Sequence, residues 1–218
     1  MSFSAYSAKR FHRAYAFWGT FPRLYHAQDW FTMLGAQRRI RSEVVGMLGD
    51  VRGQTVLDAG CGTGSNLEAL SNAVGPSGRI IAVDVHPAML QSAHHTCVRQ
   101  GLANVDVVEA SLDSLLVETA SIDAVFAMMS LSVVEDTDCT LAEFHRVLRP
   151  NGAFVVSDGR AFKHGLSRVA NPILENVYAP LGAWFPKRDF SSLNVGWRLE
   201  ASAEYVGGGF YASAYRKR

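Results

Sequence analysis

The chain has 218 residues, 48% of them apolar and 19% charged, with a formal net charge of +1. That balance excludes a disordered polypeptide, gives no support to a nucleic-acid binder, and fits one domain with a substantial core. Cys61, Cys97 and Cys139 lie far apart with no C-x-x-C pair, so neither a disulfide framework nor a zinc site is expected. No apolar run reaches the roughly 18 residues of a membrane span, and the N-terminus lacks a signal-peptide core, which predicts a cytoplasmic protein.

The charge is unevenly spread. Residues 1–42 carry seven Lys/Arg against one acid, Asp29, a local charge of +6, whereas the remainder carries −5. A basic segment on an acidic body suits an anionic partner or surface. Within it, Phe11, Tyr15 and Trp18 share one helical face, with Phe21 close by, and Pro22 ends the segment. Two readings stay open: these helices cover the sheet and the active site, or the first lies on an anionic membrane surface at the inner membrane face. A second helix is expected from Asp29, an N-cap candidate, to Leu48, turning Trp30, Leu34, Val44, Val45 and Leu48 inward. Arg23-Leu24-Tyr25-His26 lies between the two.

Thr55 to Gly64 reads T-V-L-D-A-G-C-G-T-G. It is a short strand ending on Asp58, a tight turn with Gly60, Gly62 and Gly64 at alternate positions, and then a helix opening. A dinucleotide fingerprint would put its third glycine at position 65, which is Ser65. An acid two residues before the first glycine repels a pyrophosphate but can hold an ammonium group, directly or through water. The turn therefore suits a cationic ligand without phosphates.

A second strand, Ile80 to Asp84, ends in a carboxylate placed to accept two ribose hydroxyls. Pro87 opens the following helix, from which Met89 can pack on a flat ring, and Gly101 stops it. His94 and His95 with Cys97 point in different directions on that helix and read as a solvated face, not a metal site. A third strand runs from Asn104 to Glu109 into Ala110-Ser111-Leu112. A fourth, Ile122 to Met128, runs into Met129-Ser130-Leu131-Ser132. After a Thr137–Leu148 helix, Arg149-Pro150-Asn151-Gly152 turns into a fifth strand, Ala153 to Asp158. Trp197–Tyr205 and Phe210–Arg216 alternate around Gly207-Gly208-Gly209 and read as a terminal antiparallel hairpin. The predicted architecture is a single α/β domain over 1–218. A helical cap (1–50) covers the active site of a core (51–218) with a doubly wound, Rossmann-like sheet of five parallel strands closed by that hairpin.

The D-x-G-x-G-x-G turn, the acid at the second strand's end and the L-R-P-N-G turn together resemble the class I S-adenosylmethionine-dependent methyltransferases. That resemblance implies S-adenosylmethionine as cofactor, held by Asp58, Gly60, Gly62, Gly64, Asp84, Met89, Ser111, Leu112 and Met128. Where the family commonly has an aspartate facing the adenine amino group, this chain has Ser111, which shifts adenine recognition toward the backbone. A narrower likeness rests on R-L-Y-H-A-Q-D-W-F-T-M-L-G-A-Q-R-R-I, M-S-L-S-V-V-E-D and Y-V-G-G-G-F-Y-A-S-A-Y-R-K-R. These stretches resemble the methyltransferases of betaine-lipid synthesis, relatives of phosphatidylethanolamine N-methyltransferases.

That likeness implies N-methylation of a lipid headgroup amine. Tyr25 and His26 are then the catalytic candidates, with Tyr6 and Tyr178 also near the cleft mouth, although the family often reads Y-D where this chain has Tyr25-His26. The same core motifs are shared by C- and O-methyltransferases of soluble quinone or natural-product substrates. A silent cofactor-binding module is the remaining alternative.

Overall fold

The computed structural model describes residues 15–21, 24, 26–28, 30, 33, 35–179 and 186–218, apart from the side chains at 177 and 178. Its frame is a seven-stranded sheet. The strands are β1 (Thr55–Ala59), β2 (Arg79–Asp84), β3 (Val105–Glu109), β4 (Ile122–Met128), β5 (Leu148–Gly159), β6 (Trp197–Tyr205) and β7 (Phe210–Lys217). They lie in the order β3-β2-β1-β4-β5-β7-β6, parallel from β3 to β5 and antiparallel at β5–β7 and β7–β6. This is the α/β, Rossmann-like sheet with a C-terminal hairpin that the alternation of elements predicts.

Helices pack on both faces of the sheet because their apolar stripes need them. Helix α1 (Gln37–Gly46) buries Ile40, Val44 and Val45, and α2 (Leu67–Val74) buries Leu67, Leu70 and Val74. Helix α3 (Pro87–Gln100), opened by its proline and closed by Gly101 in the left-handed region, buries Met89, Leu90 and Ala93. Side chains alternate across each strand. Val56, Ile80, Ala124, Phe126 and Val155 thus meet α1–α3 on one face, while Leu57, Val83, Val125, Phe154 and Tyr211 meet α4 (Thr137–Val147) on the other. Among the described residues no helix is long and apolar enough to cross a membrane.

The hairpin does more than close the sheet. The Tyr211 hydroxyl accepts from Phe190 N–H at 2.8 Å. The Tyr215 hydroxyl donates to Phe190 O at 2.7 Å and accepts from Leu193 N–H at 3.1 Å. The two tyrosines thus pin the loop before β6 to the sheet.

Three expectations need correction. The single helix over 29–48 is interrupted: Gly35 takes φ +77°, and α1 begins only at Gln37. Trp30, on the near side of that break, is 49% exposed rather than turned inward, and Asp29 and Leu34 lie outside the described residues. On the first helix, Tyr15 and Trp18 of the shared face are half-buried, while Phe21, close by, is exposed and Phe11 lies outside the described residues. The L-R-P-N-G turn is absorbed into β5, which starts at Leu148 paired with Ile122. Asn151 takes φ +59° where the register shifts.

Phe154 sits at the centre of the second face, fully buried, with ring centroids 5.6 Å from Phe144, 5.0 Å from Trp197 and 6.0 Å from Tyr215. Phe154→Ala should cost about 3–5 kcal/mol, measured by denaturant unfolding of the ligand-free protein.

Candidate active site

The parallel strands end at one edge, and the cavity opens there. Its walls include Gly60, Cys61, Gly62, Thr63 and Asn66 after β1, Asp84 and Val85 after β2, Met89 from α3, and Ser111, Leu112 and Asp113 after β3. Met128 to Ser130 and Val133 to Glu135 follow β4. Tyr15, Arg41 from α1 and Thr140 from α4 complete it. The N-terminal helical residues thus contribute to the site, through side chains that sequence reasoning did not single out as site residues.

Three glycines serve three purposes. A Cβ on Gly60 would stand 2.5 Å from Ser130 Cβ, so this glycine lets the β1 turn approach the β4 loop. At Gly62, φ +54°, a Cβ would meet nothing within 4 Å, so the space beside the backbone belongs to the cavity. Gly64 does not line the cavity. A Cβ there would stand 2.9 Å from Leu67 Cδ1 and 3.2 Å from Ala93 Cα, so Gly64 serves helix packing and its cofactor-binding assignment is corrected.

Asp84 organises the turn. One carboxylate oxygen accepts from Gly62 N–H and the other from His86 N–H, each at 2.9 Å. Each oxygen keeps a lone pair for a donor in the cavity. Burial raises the Asp84 pKa, and the His86 and Gly62 amides oppose that rise.

Asp58 lies deeper. It is 1% exposed, does not line the cavity, and neither carboxylate oxygen meets a hydrogen-bond partner among the described residues. Desolvation pushes its pKa from an ordinary 3.8 to about 7; Arg41 lowers it, Asp84 raises it, and Asn66 lowers it. Of the two expected modes, direct or through water, the buried position of Asp58 leaves no direct contact with a ligand ammonium, so its attraction acts from behind the wall. Arg41 Nη1 donates to Asn66 Oδ1, and both side chains reach the cavity. A guanidinium beside a buried carboxylate is an arrangement that suits an α-amino acid zwitterion.

Met89, Ser111, Leu112 and Met128 all line the cavity. Asp113, two residues after Ser111, brings back a carboxylate at the turn where Ser111 replaces the usual acid. Its position after the third strand was the signal; the offset hid it. Of the catalytic candidates, Tyr25 lies outside the described residues. His26 is exposed on a helical stretch and does not line the cavity, because that stretch turns it to solvent. Tyr6 and the Tyr178 side chain also lie outside what is described. Cys61 lines the cavity, but burial holds its thiol well above the ordinary value, which leaves it protonated at neutral pH.

Residues 56–152 match the family described as a methyltransferase domain. Residues 56–152 thus carry a methyltransferase domain. Over 146 residues it is 32% identical to the ubiquinone/menaquinone biosynthesis C-methyltransferase UbiE of Hahella chejuensis, covering 66% of this chain and 56% of that protein. It is 33% identical over 115 residues to the demethylmenaquinone methyltransferase of Lactococcus lactis, covering 53% and 46% respectively. The chain thus spans about half the length of these curated relatives. The crystal structure of a SAM-dependent methyltransferase from Aquifex aeolicus superposes with a TM-score of 0.63 at 24% identity, covering 82% of this chain and 89% of that one, and shares its fold.

S-adenosylmethionine is the cofactor of the methyltransferase domain, and the cavity fits it. The open side of Gly62, the spare lone pairs of Asp84 and the Asp58 carboxylate buried behind the wall suit a cationic nucleoside. Asp84→Ala should weaken cofactor binding by a few kcal/mol, and Gly62→Val should abolish it, because a β-branched side chain would fill the cradle. Isothermal titration calorimetry measures both, and near-wild-type affinity in either variant refutes the assignment.

Asp58 also predicts a pH effect. Its folded pKa, about 7, lies above its unfolded value of 3.8, so its contribution to the ligand-free fold is full below about 4 and is lost as pH rises through about 7. A bound cation favours the carboxylate, so binding near pH 7 should release protons, and affinity should fall as pH drops from about 8 to 6. The buffer dependence of the binding enthalpy reads this release, and Asp58→Asn should remove it.

Proposed function

We propose that the methyltransferase domain methylates a ring carbon of a quinol-type aromatic acceptor, with S-adenosylmethionine as methyl donor. The likeness to two quinone-biosynthesis relatives carries this reading over lipid headgroup N-methylation. The cavity supports it. Beside Met128, the wall includes Met129, Val133 and Val134, apolar residues suited to a flat ring, together with the exposed Glu135.

When bound, the cofactor supplies a methyl group on a sulfonium centre, open to in-line attack. Everything else falls to the chain. Asp84 holds the ribose hydroxyls. Arg41 and Asn66 take the methionine carboxylate, with Asp58 offsetting the positive charge nearby, and Asp113 receives the adenine amino group. Met129 is held at φ +59°, its N–H donating to Ser157 O at 2.8 Å, which fixes the turn where the acceptor wall begins. Glu135 takes the hydroxyl proton of the acceptor; the phenolate then makes the adjacent ring carbon nucleophilic, and that carbon's proton leaves after transfer. The walls from α1, α4 and the β4 loop keep the partners aligned and dry.

The competing reading, an amine on a lipid headgroup, uses the same cofactor residues and differs only in the acceptor. Purified protein with cofactor should methylate a short-chain demethylmenaquinol and leave phosphatidylethanolamine and homoserine-headgroup lipid unmodified, as read by mass spectrometry. Glu135→Gln should lower kcat on the quinol about 100-fold with cofactor affinity unchanged. Methylation of the lipid amines alone would overturn the proposal.

A further inference from the structure

The three consecutive glycines of the β6–β7 turn are explained by what lies on them. A Cβ on Gly207 would stand 2.8 Å from Ser167 Oγ, on Gly208 2.9 Å from Lys163 Cβ, and on Gly209 2.6 Å from the Phe162 ring. Only glycine lets residues 162–167 sit this close. Backbone bonds fasten the seat: Arg160 N–H donates to Gly209 O at 2.9 Å and His164 N–H to Gly207 O at 3.1 Å.

Beneath it, the Arg160 side chain is 3% exposed. It donates to Gly208 O at 3.0 Å and to Asp189 at 2.8 Å, pairs with Glu204, and lies 4.6 Å over the Tyr211 ring. The segment that follows is therefore carried on a fixed base.

What this base holds outward is apolar. Leu166–Ala170 forms a 3-10 turn, whose three-residue period stacks Leu166 and Val169, and Ile173 follows in the next turn. These side chains are 91%, 79% and 66% exposed. A contiguous apolar stripe presented by an anchored backbone marks an interaction surface rather than a stray exposed residue.

Charge selects the partner. Residues 160–189 contain five Lys/Arg (Arg160, Lys163, Arg168, Lys187, Arg188) against two acids, Glu175 and Asp189, a local charge of +3. Arg160 and Lys163 are matched by Asp189 and Glu204, and Lys187 stands 3.7 Å from Glu175. Arg168, on the stripe itself, has no carboxylate within 4.0 Å among the described residues. The stripe follows the end of β5, at the same sheet edge as the cavity. Residues 15–20, whose Tyr15 lines the cavity, reach that edge where Gly19 packs against Ala88, and Phe17 and Phe21 are exposed beside them.

We propose that Leu166, Val169 and Ile173, with Arg168, dock the active-site edge of this chain on an anionic phospholipid bilayer. Apolar side chains enter the headgroup boundary while Arg168 meets the surface charge. The contact stands apart from the identity of the methyl acceptor, so its test needs no turnover.

Co-sedimentation of the full chain with phosphatidylcholine vesicles, with and without phosphatidylglycerol, tests it. The wild type should partition about 10-fold more onto the anionic vesicles. Arg168→Glu should remove that preference, and the triple variant Leu166→Ser/Val169→Ser/Ile173→Ser should lose binding to both, with calorimetric cofactor affinity unchanged as proof of folding. Wild-type partitioning in the triple variant overturns the proposal. So does a concentration-dependent dimer, seen by light scattering, that the triple variant abolishes without any change in vesicle binding, since the stripe then joins two copies.

Discussion

The site depends on one carboxylate used twice. Asp84 ends β2, yet its two oxygens bind the amide of Gly62, in the turn after β1, and the amide of His86, which opens α3. Two neighbouring strand ends and the start of a helix are thereby tied through a single side chain. The left-handed turn at Gly60–Gly62 is costly for an ordinary backbone, and this tie holds it in place. A group that fixes the turn with one set of lone pairs and offers the other set to a ligand makes the cavity rigid before anything binds. Preorganisation of this kind reduces the ordering a ligand must impose.

Behind that turn, charge is handled in a second way. Asp58 is buried with no hydrogen-bond partner among the described residues, an arrangement that would be a defect in a purely structural core. It persists because the neighbouring cavity is built for a cation, and Arg41 partly offsets the cost in the ligand-free state. Asp158, at the end of β5, shows the contrast. It is equally buried, and burial raises its pKa to about 6, but Ser132 donates to it from both backbone and hydroxyl and Gly159 N–H donates as well. One carboxylate is satisfied within the protein and the other is not. That difference separates scaffold from site.

The sequence made the sheet and the cofactor side legible because both rest on local patterns. Strand runs of period two, a glycine turn and strand-end acids at Asp58 and Asp84 need no knowledge of distant contacts. What escaped was non-local or offset. Arg41 reads as one more exposed arginine in R-R-I-R until α1 is packed over the β1 turn, and Tyr15 reads as a face residue until its helix reaches the cavity. Gly64 reads as a ligand residue in the sequence because glycine spacing does not distinguish approach to a ligand from approach to Ala93. The break at Gly35 carried a signal, an isolated glycine in a helical pattern, but the apolar spacing on either side outweighed it.

The strand order β5-β7-β6 places the last strand of the chain inside the sheet, not at its edge. The parallel half can form its crossovers from residues 55–159 alone, yet β5 then ends in an open row of amides and carbonyls. Only β7 closes that row, through seven paired positions from Ala153–Arg216 to Gly159–Phe210. During synthesis the cofactor-binding half is therefore complete in sequence while its open edge can still pair with another chain. Shortening the chain within 210–217 would remove an interior strand and expose that edge for good.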